Sequence, residues 1–313
     1  MKRVLSFCAM LLAGGLALPA FSPVHAQSLQ GVTVVTVAPK KGNELLDAVP
    51  ASAVNVKVNG KKAAVNGWEH YTSTGSRPNL QLVLLIDDGA RSSLGLHMHE
   101  LQRFLQQQPA STETAIAYMR NGTAQFANPF TTDHAQTAQF LRLPLSASGI
   151  NGSPYFALSD LIKKWPAHGQ DTRREVVMIT DGIDLYNGLR YDPSNPYITS
   201  TIRDALRNNV VIYAIYYHNA GFADRTGLGI NSGQNYLNQL CSAVGGDLFL
   251  QGFGNPVDFT PFLNQVNGKL GNQYELRVTP DKARSGFGNL KVQVSAPNTR
   301  TQAADQIYLP PAQ

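Results

Sequence analysis

Two largely apolar runs in this chain each end at an acidic residue. Residues 82–86 are followed by Asp87 and Asp88, and residues 176–180 are followed by Asp181. Short Val, Ile and Leu runs without polar alternation are typical of strands buried on both faces of a parallel sheet. Because ligands bind outside the carboxyl ends of such strands, the two runs predict a small anionic pocket that suits a hard divalent cation.

The first 26 residues are typical of a signal peptide. Lys2 and Arg3 form a basic start, residues 4–18 are largely apolar, and residues 24–26 offer a cleavage site. The apolar stretch is too short to span a membrane, and no later stretch approaches the roughly 18 apolar residues that a span requires. We therefore expect an exported protein, periplasmic or extracellular, without a membrane span.

Charge and cysteine content exclude some classes of partner and bond. The formal net charge is +5, and loss of the signal peptide removes two of these charges, which is too mild a balance to imply a nucleic-acid partner. One cysteine, Cys241, remains after cleavage, so no intramolecular disulfide is expected. Because Cys241 falls at an apolar position of a helical pattern, it is predicted to be a buried structural thiol.

The rest of the chain divides into three parts. Residues 27–79 are predicted to form an N-terminal β segment, with a hairpin at Asn59-Gly60, and a linker. Residues 80–270 alternate strands with helices, which predicts a mainly parallel sheet. A second hairpin, at Asn121-Gly122, implies one antiparallel edge strand. Residues 271–313 return to β and end in a tail. The predicted fold class is α/β, and the small flanking β segments are expected to pair into one sandwich.

The order of these parts resembles a von Willebrand factor type A (VWA) domain over about residues 80–270. The shared features are a strand ending in Asp, a helix, a hairpin, a helix capped by serine, a strand ending in Thr-Asp-Gly and a final strand and helix. Residues 272–276 and 290–294 also resemble the strand pair that follows the domain in one exported bacterial subgroup. The resemblance implies a Rossmann-like domain.

The resemblance also implies a metal-ion-dependent adhesion site (MIDAS), at which type A domains bind Mg²⁺ or Mn²⁺. By position, Asp87 and Asp181 match the two aspartates of its pattern, and Ser153 stands where the family has a threonine. Gly89 and Arg91 stand where the family has two serines, so both hydroxyl ligands of the first loop are missing. The implied metal ligands are therefore Asp87, Ser153 and Asp181, in a degenerate site.

Three interpretations of this site remain open from the sequence. In the first interpretation, the three ligands hold Mg²⁺ or Mn²⁺ weakly, and Asp88 or Asp184 contributes from the outer coordination shell. Alternatively, the Arg91 guanidinium neutralises the carboxylates and takes the place of the cation. In the third interpretation, Arg91 points into solvent.

A polar and aromatic loop over residues 183–200 follows Asp181 directly, at the predicted ligand-facing edge. Aromatic side chains there supply rigid contact area for a partner, although an ordinary insertion that packs on its own domain has the same composition. The residues predicted to contact a partner are Asp88, Arg91, Asp184, Tyr186 and Tyr191.

The run at residues 97–100, which contains two histidines, is interpreted without a metal. On a helix, His97 and His99 point about 200° apart and cannot bind one ion together. A solvated helix face is the expected setting for both.

These observations predict an exported binding module rather than an enzyme. It would recognise a protein or peptide, with or without a carboxylate, at the carboxyl edge of the type A domain. A metal-dependent hydrolase of the cell envelope that uses Asp87, Asp181 and His218 is the alternative from another class. A scaffold with a vestigial site is the third.

Overall fold

The structure is a computed structural model that describes residues 29–71, 79–147, 152–166, 172–281 and 284–311. The predicted signal peptide lies outside these ranges. The strands are β1 Gly31–Pro39, β2 Val54–Val58, β3 Lys61–His70, β4 Leu80–Asp87, β5 Thr112–Arg120, β6 Thr123–Phe126, β7 Arg173–Thr180, β8 Val210–Tyr216, β9 Leu248–Phe249, β10 Gln273–Pro280, β11 Gly286–Val294, β12 Thr299–Ala303 and β13 Gln306–Leu309. The α-helices are α1 Met98–Gln106, α2 His134–Ala138, α3 Pro154–Lys163, α4 Pro196–Arg207, α5 Gly227–Ala243 and α6 Thr260–Leu270. Within the described ranges, no helix has the length and apolar character needed to cross a membrane.

One sheet has six strands in the order β6-β5-β4-β7-β8-β9. Strands β5, β4, β7, β8 and β9 pair in parallel, and β6 pairs antiparallel with β5. The central strand β4 is buried along its whole length. Its side chains alternate between two cores, with Leu85 in the core that contains Tyr155 of α3 and Leu84 in the core that contains Leu101 of α1. The parallel strands end together at one edge, hereafter the carboxyl edge, and begin at the opposite, amino edge.

The larger sheet has seven strands in the order β12-β1-β10-β3-β2-β11-β13, and every pair in it is antiparallel. Its strands come from both flanks of the chain, so that Gly31 of β1 lies opposite Val278 of β10. The sheet curls around its own core, which includes Val35, Val56 and Leu276. The flanks therefore form one curled sheet rather than a sandwich.

The predicted fold class, a Rossmann-like domain with a mainly parallel sheet and small flanking β segments, is wrong for this chain. The larger sheet is antiparallel throughout and the second sheet is mixed. The physical reason is that continuous apolar runs, such as β4, give the strongest local signal in the sequence and favour the prediction of a parallel sheet. Flanking strands such as β2 bury only alternate residues and find their partners far along the chain.

Both Asn-Gly hairpins that the sequence predicts are present. Asn59 and Gly60 have φ angles of 50° and 77°, and Asn121 and Gly122 have φ angles of 52° and 70°. Positive φ at both central residues is what a type I′ turn requires, and Asn and Gly adopt it most readily. The turns join β2 to β3 and β5 to β6.

Two smaller predictions have opposite outcomes. Cys241 is a buried free thiol, as predicted, and burial raises its pKa far above the ordinary value. The expectation of a solvated face at His97 is wrong, because this side chain is 5% exposed. Its ring stacks on Phe259 at 4.2 Å between centroids, and its Nδ1 lies 3.3 Å from Glu100.

The two sheets meet at a buried polar junction. Arg173, the first residue of β7, donates from Nη1 to the carbonyl oxygen of Leu270 at 2.8 Å and to the side chain of Gln273 in β10. The amide of Gln273 donates to the hydroxyl of Tyr213 in β8 at 3.1 Å. Glu175 lies beside them, fully buried, and neither of its carboxylate oxygens has a hydrogen-bond partner in the described structure. Burial raises the pKa of Glu175 to about 7, although Arg173, Gln273 and Tyr213 oppose the shift.

The pKa of Glu175 predicts a pH-dependent stability. Because the folded chain holds this proton more tightly than the unfolded chain, stability is full at low pH and falls as the pH rises from 4.5 to about 7, by about 3 kcal/mol. Glu175→Gln is expected to remove this slope and to be more stable than the native chain at about pH 8. Urea unfolding at several pH values across this range measures how the free energy of unfolding depends on pH. Glu69→Gln, at an exposed position of β3, is the control, and equal slopes for Glu175→Gln and the native chain would contradict the prediction.

Candidate functional site

Asp87 sits at the end of β4 and joins the ends of three neighbouring strands. Its side chain is 4% exposed. Oδ2 accepts hydrogen bonds from the Thr180 hydroxyl at 2.8 Å and from the Asn219 amide at 3.1 Å, and Oδ1 accepts one from the Gly89 N–H at 2.8 Å. Burial raises the pKa of Asp87 and the neighbouring Asp88 adds to the shift, whereas these three hydrogen bonds lower it. Both carboxylate oxygens are thus engaged within the protein.

The second acidic residue, Asp88, is paired with an arginine that sequence reasoning missed. Arg142 donates from Nη1 and Nη2 to the two carboxylate oxygens of Asp88 at 2.6 and 2.8 Å. The Arg142 guanidinium also lies 3.7 Å from the ring centroid of Tyr118. The hydrogen bonds to Asp88 raise the pKa of Arg142. Nothing in the local sequence marks Arg142, which lies in the loop before α3.

Ser153 is the residue whose setting most resembles an open ligand position. It occupies the N-cap position of α3, is 2% exposed, and makes no capping hydrogen bond through its side chain. Its Oγ has no hydrogen-bond partner in the part of the chain that is described. Ser153 and Asp87 line the same cavity of about 10 Å³, together with Asn121 and Gly122. This is about the volume that one water molecule needs.

Asp181 follows β7 and is 4% exposed. Its Oδ1 accepts a hydrogen bond from the Ile183 N–H at 2.9 Å. The next residue must be glycine, because Gly182 has a φ of +69° and a Cβ there would lie 2.7 Å from the carbonyl oxygen of Gly233 in α5. This close approach of α5 fixes the path of the chain after Asp181.

Arg91 contacts the loop that follows β8. Its Nε donates to the carbonyl oxygen of Asn219 at 2.9 Å, and its main-chain N–H donates to the carbonyl oxygen of His218 at 3.2 Å. The side chain is half-buried, so it does not project freely into solvent. The replacement of the cation by Arg91 stays a prediction.

The loop over residues 183–200 packs on its own domain and is also partly exposed. Asp184 is fully buried and accepts hydrogen bonds from the Asn195 amide at 2.9 Å and the Tyr186 N–H at 3.2 Å, so it supports the loop from inside. The Tyr191 ring lies 4.9 Å from that of Tyr236. Tyr186 is 54% exposed and therefore accessible to a partner, whereas Asp184 is buried and is not accessible.

His218, the third residue of the hydrolase alternative, is 7% exposed. Its Nε2 lies 2.7 Å from the carbonyl oxygen of Phe253, and its main-chain N–H donates to Asn255 at 2.8 Å. Among the described residues, no group of three or more His, Cys, Asp or Glu side chains is arranged to hold a metal ion. The donor set at this edge is therefore poorer than the two strand-end aspartates alone suggest.

Exposed apolar side chains concentrate in the loops at the carboxyl edge. Nine of the ten large apolar side chains that are at least 45% exposed in the described ranges lie in the loops and helix starts beside this edge, and Leu45 is the tenth. The loop before α3 belongs to this edge because the Ala147 N–H donates to the carbonyl oxygen of Asp88. We call these nine side chains the edge set: Leu96, Leu143, Leu145, Leu185, Tyr186, Phe222, Leu228, Phe253 and Val257.

Comparison with known proteins gives structural neighbours only. No protein-family model matches the chain, and no curated protein matches it. Among solved structures, the conserved hypothetical protein BatB from Bacteroides thetaiotaomicron has 13% identity and a TM-score of 0.43, covering 61% of this chain and 98% of its own. The vWF domain of the type V pili tip protein Mfa5 from Porphyromonas gingivalis has 12% identity and a TM-score of 0.40, covering 63% and 95%. Proximal thread matrix protein 1 from the mussel byssus, solved with a zinc-occupied MIDAS motif, has 11% identity and a TM-score of 0.41, covering 65% and 48%.

VWA-type structures are thus among the neighbours of this chain, in agreement with the sequence resemblance. At these identities and TM-scores the likeness concerns the fold alone. It carries no conclusion about the activity, metal or partner of this chain.

The Asp88–Arg142 pair predicts a local effect on the loop before α3. Arg142→Met is expected to release this loop and to speed hydrogen exchange at the Ala147 N–H, which is bonded to Asp88. The loss of global stability should stay below about 1 kcal/mol, because the Arg142 side chain is 43% exposed. Arg120→Met, at an exposed position of the β5–β6 hairpin, is the control. Unchanged exchange at Ala147 would contradict the prediction.

Proposed function

We propose that this chain is an exported protein-binding module of the adhesion type, without catalytic activity, that recognises a protein partner at the carboxyl edge. The edge set is the observation that carries this proposal. Large apolar side chains exposed together in one region mark interaction sites in soluble proteins, whereas apolar residues scattered singly over the surface do not. Nine of the ten such side chains in the described ranges lie at this one edge, which is a concentration of this kind.

The scaffold below the edge set supports the same proposal. Asp87 holds the ends of β4, β7 and β8 together through buried hydrogen bonds, so the loops that leave these strands start from fixed positions. A rigid scaffold that carries variable loops is a common arrangement for binding surfaces. Phe222 and Phe253 are 78% and 71% exposed and supply rigid apolar contact area.

The proposed partner is a protein segment with an apolar surface that also presents a carboxylate. The apolar part would cover the edge set and lose contact with water, which drives most protein association. The carboxylate would approach the Arg91 guanidinium or a bound cation near Asp87 and Ser153. Adhesion or assembly at the cell envelope is the process that such a module would serve.

A capture experiment tests the edge set as the binding surface. The immobilised chain is exposed to an envelope fraction of the source cells, and the amount of captured protein is measured. The Phe222→Ser/Phe253→Ser variant is expected to capture at least about tenfold less protein than the native chain, because it lacks two aromatic anchors. Leu45→Ser is the matched control, because Leu45 is 70% exposed but lies away from the carboxyl edge. Equal loss in both variants, or loss in neither, would contradict the proposal.

We further propose that this module binds Mg²⁺ or Mn²⁺ weakly at the carboxyl edge. Ser153, Asp87 and Asp181 would hold the ion, which would supply a positive charge for the partner's carboxylate. The unpartnered Ser153 Oγ and the small cavity that it shares with Asp87 support the proposal. Weak binding is expected because Gly89 and Arg91 supply no hydroxyl ligands and Asp87 already accepts three hydrogen bonds.

Titration with Mn²⁺ tests the metal proposal. The native chain is expected to bind in the millimolar range, Ser153→Ala to lose binding, and Arg91→Ser to bind more tightly because it restores a hydroxyl and removes a positive charge. Ser92→Ala, at an exposed position of the same loop as Arg91, is the control. Native binding that survives Ser153→Ala, or no binding by any variant, would contradict the proposal.

A further inference from the structure

A cavity of about 420 Å³ lies at the amino edge, at the opposite end of the six-stranded sheet from Asp87. Its lining includes the first residues of β4, β5 and β7, which are Leu80, Thr112 and Arg173. His70 and Tyr71, at the end of β3, form another side, so the cavity lies between the two sheets. Its volume falls within the range of about 300–1,000 Å³ that is usual for small-molecule sites.

The walls of this cavity are largely apolar. Leu45, Leu80, Pro109 and Leu270 supply hydrocarbon surface, and the Tyr71 ring adds an aromatic face. Gln108, another lining residue, is already bonded, because its amide donates to Phe104 and Asn267. The cavity therefore suits a ligand whose body is mostly apolar.

The charges around the cavity favour a negatively charged ligand. None of the fourteen lining residues that the structure describes is Asp or Glu, whereas Arg173 is among them. His70 is also in the lining; burial lowers its pKa, and its hydrogen bond to the carbonyl oxygen of Gly271 opposes the shift. Arg173 is the one permanently charged side chain among the described lining residues.

Arg173 is placed to receive an anion. The side chain is 6% exposed, and its Nε–H has no hydrogen-bond partner within the described ranges. The nearby Glu175 compensates its charge only in part, because the Glu175 pKa of about 7 leaves that carboxyl partly protonated at neutral pH. A buried guanidinium whose charge is compensated only in part is costly in free energy, and a carboxylate in the cavity that Arg173 lines would reduce that cost.

We infer that this cavity binds a small organic carboxylate with an apolar body. The carboxylate accepts hydrogen bonds from the Arg173 guanidinium, and the hydrocarbon part packs against Leu80, Leu270 and the Tyr71 ring. The site is separate from the edge set and does not depend on the function proposed for the carboxyl edge.

Calorimetric titration of the purified chain with octanoate tests this inference. One octanoate is expected to bind per chain, and 1-octanol, which has the same length but no charge, is expected to bind at least about tenfold more weakly. Absence of octanoate binding, or equal affinity for the alcohol, would overturn the inference.

Three variants locate the binding. Arg173→Met is expected to lose at least about tenfold in octanoate affinity. Arg174→Met removes the same charge from the next residue of β7, which does not line the cavity, and should bind as the native chain does. Gln107→Trp places a larger side chain at an exposed lining position, so it should block the cavity even if Arg173→Met fails to fold. Unchanged binding in Gln107→Trp, or equal losses in Arg173→Met and Arg174→Met, would overturn the inference.

Discussion

The antiparallel pairing of β1 with β10 is the constraint on which the arrangement of this protein depends. It joins residues from the two ends of the chain, from Gly31 opposite Val278 to Thr36 opposite Gln273, and so closes the intervening chain into a loop. Both connections to the six-stranded sheet lie at its amino edge, where Leu80 begins β4 and Leu270 ends α6 beside the same cavity. The larger sheet is therefore seated at that edge. The larger sheet leaves the carboxyl edge, with its exposed apolar loops, uncovered.

At the carboxyl edge, Asp87 has a structural role that a reading of the metal pattern alone overlooks. Its carboxylate takes three hydrogen bonds, including those from Thr180 and Asn219 beyond the neighbouring strands. A buried carboxylate that is fully hydrogen-bonded holds the strand ends in register and, for the same reason, has little capacity left for a cation. Gly89 and Arg91 have no hydroxyl groups, and the Asp87 carboxylate takes its hydrogen bonds from the Gly89 N–H, Thr180 and Asn219.

Local signals in the sequence were enough to predict some of these features. Apolar runs located β4 and β7, and Asn-Gly pairs located two hairpins, because both signals act within a few residues. The fold class was wrong because the pairing of flanking strands is set by contacts over more than two hundred residues. The same limit applies at the site. Arg142 lies 54 residues from Asp88, and Asn219 lies 132 residues from Asp87, and no local pattern marks either partner.

The unsatisfied polar atoms of the interior give an independent indication of where ligands act. In the described part of the chain, the buried side-chain atoms without a hydrogen-bond partner belong to Ser153, Asn219, Arg173 and Glu175. Ser153 and Asn219 flank Asp87 at the carboxyl edge, and Arg173 lines the cavity of the amino edge. Glu175 lies two residues further along β7, outside that lining. Each such atom costs about 1–3 kcal/mol of stability, and no other buried side-chain nitrogen or oxygen in the described ranges bears this cost. Their confinement to two places at opposite ends of one sheet is expected if each place binds a group that the isolated chain does not supply.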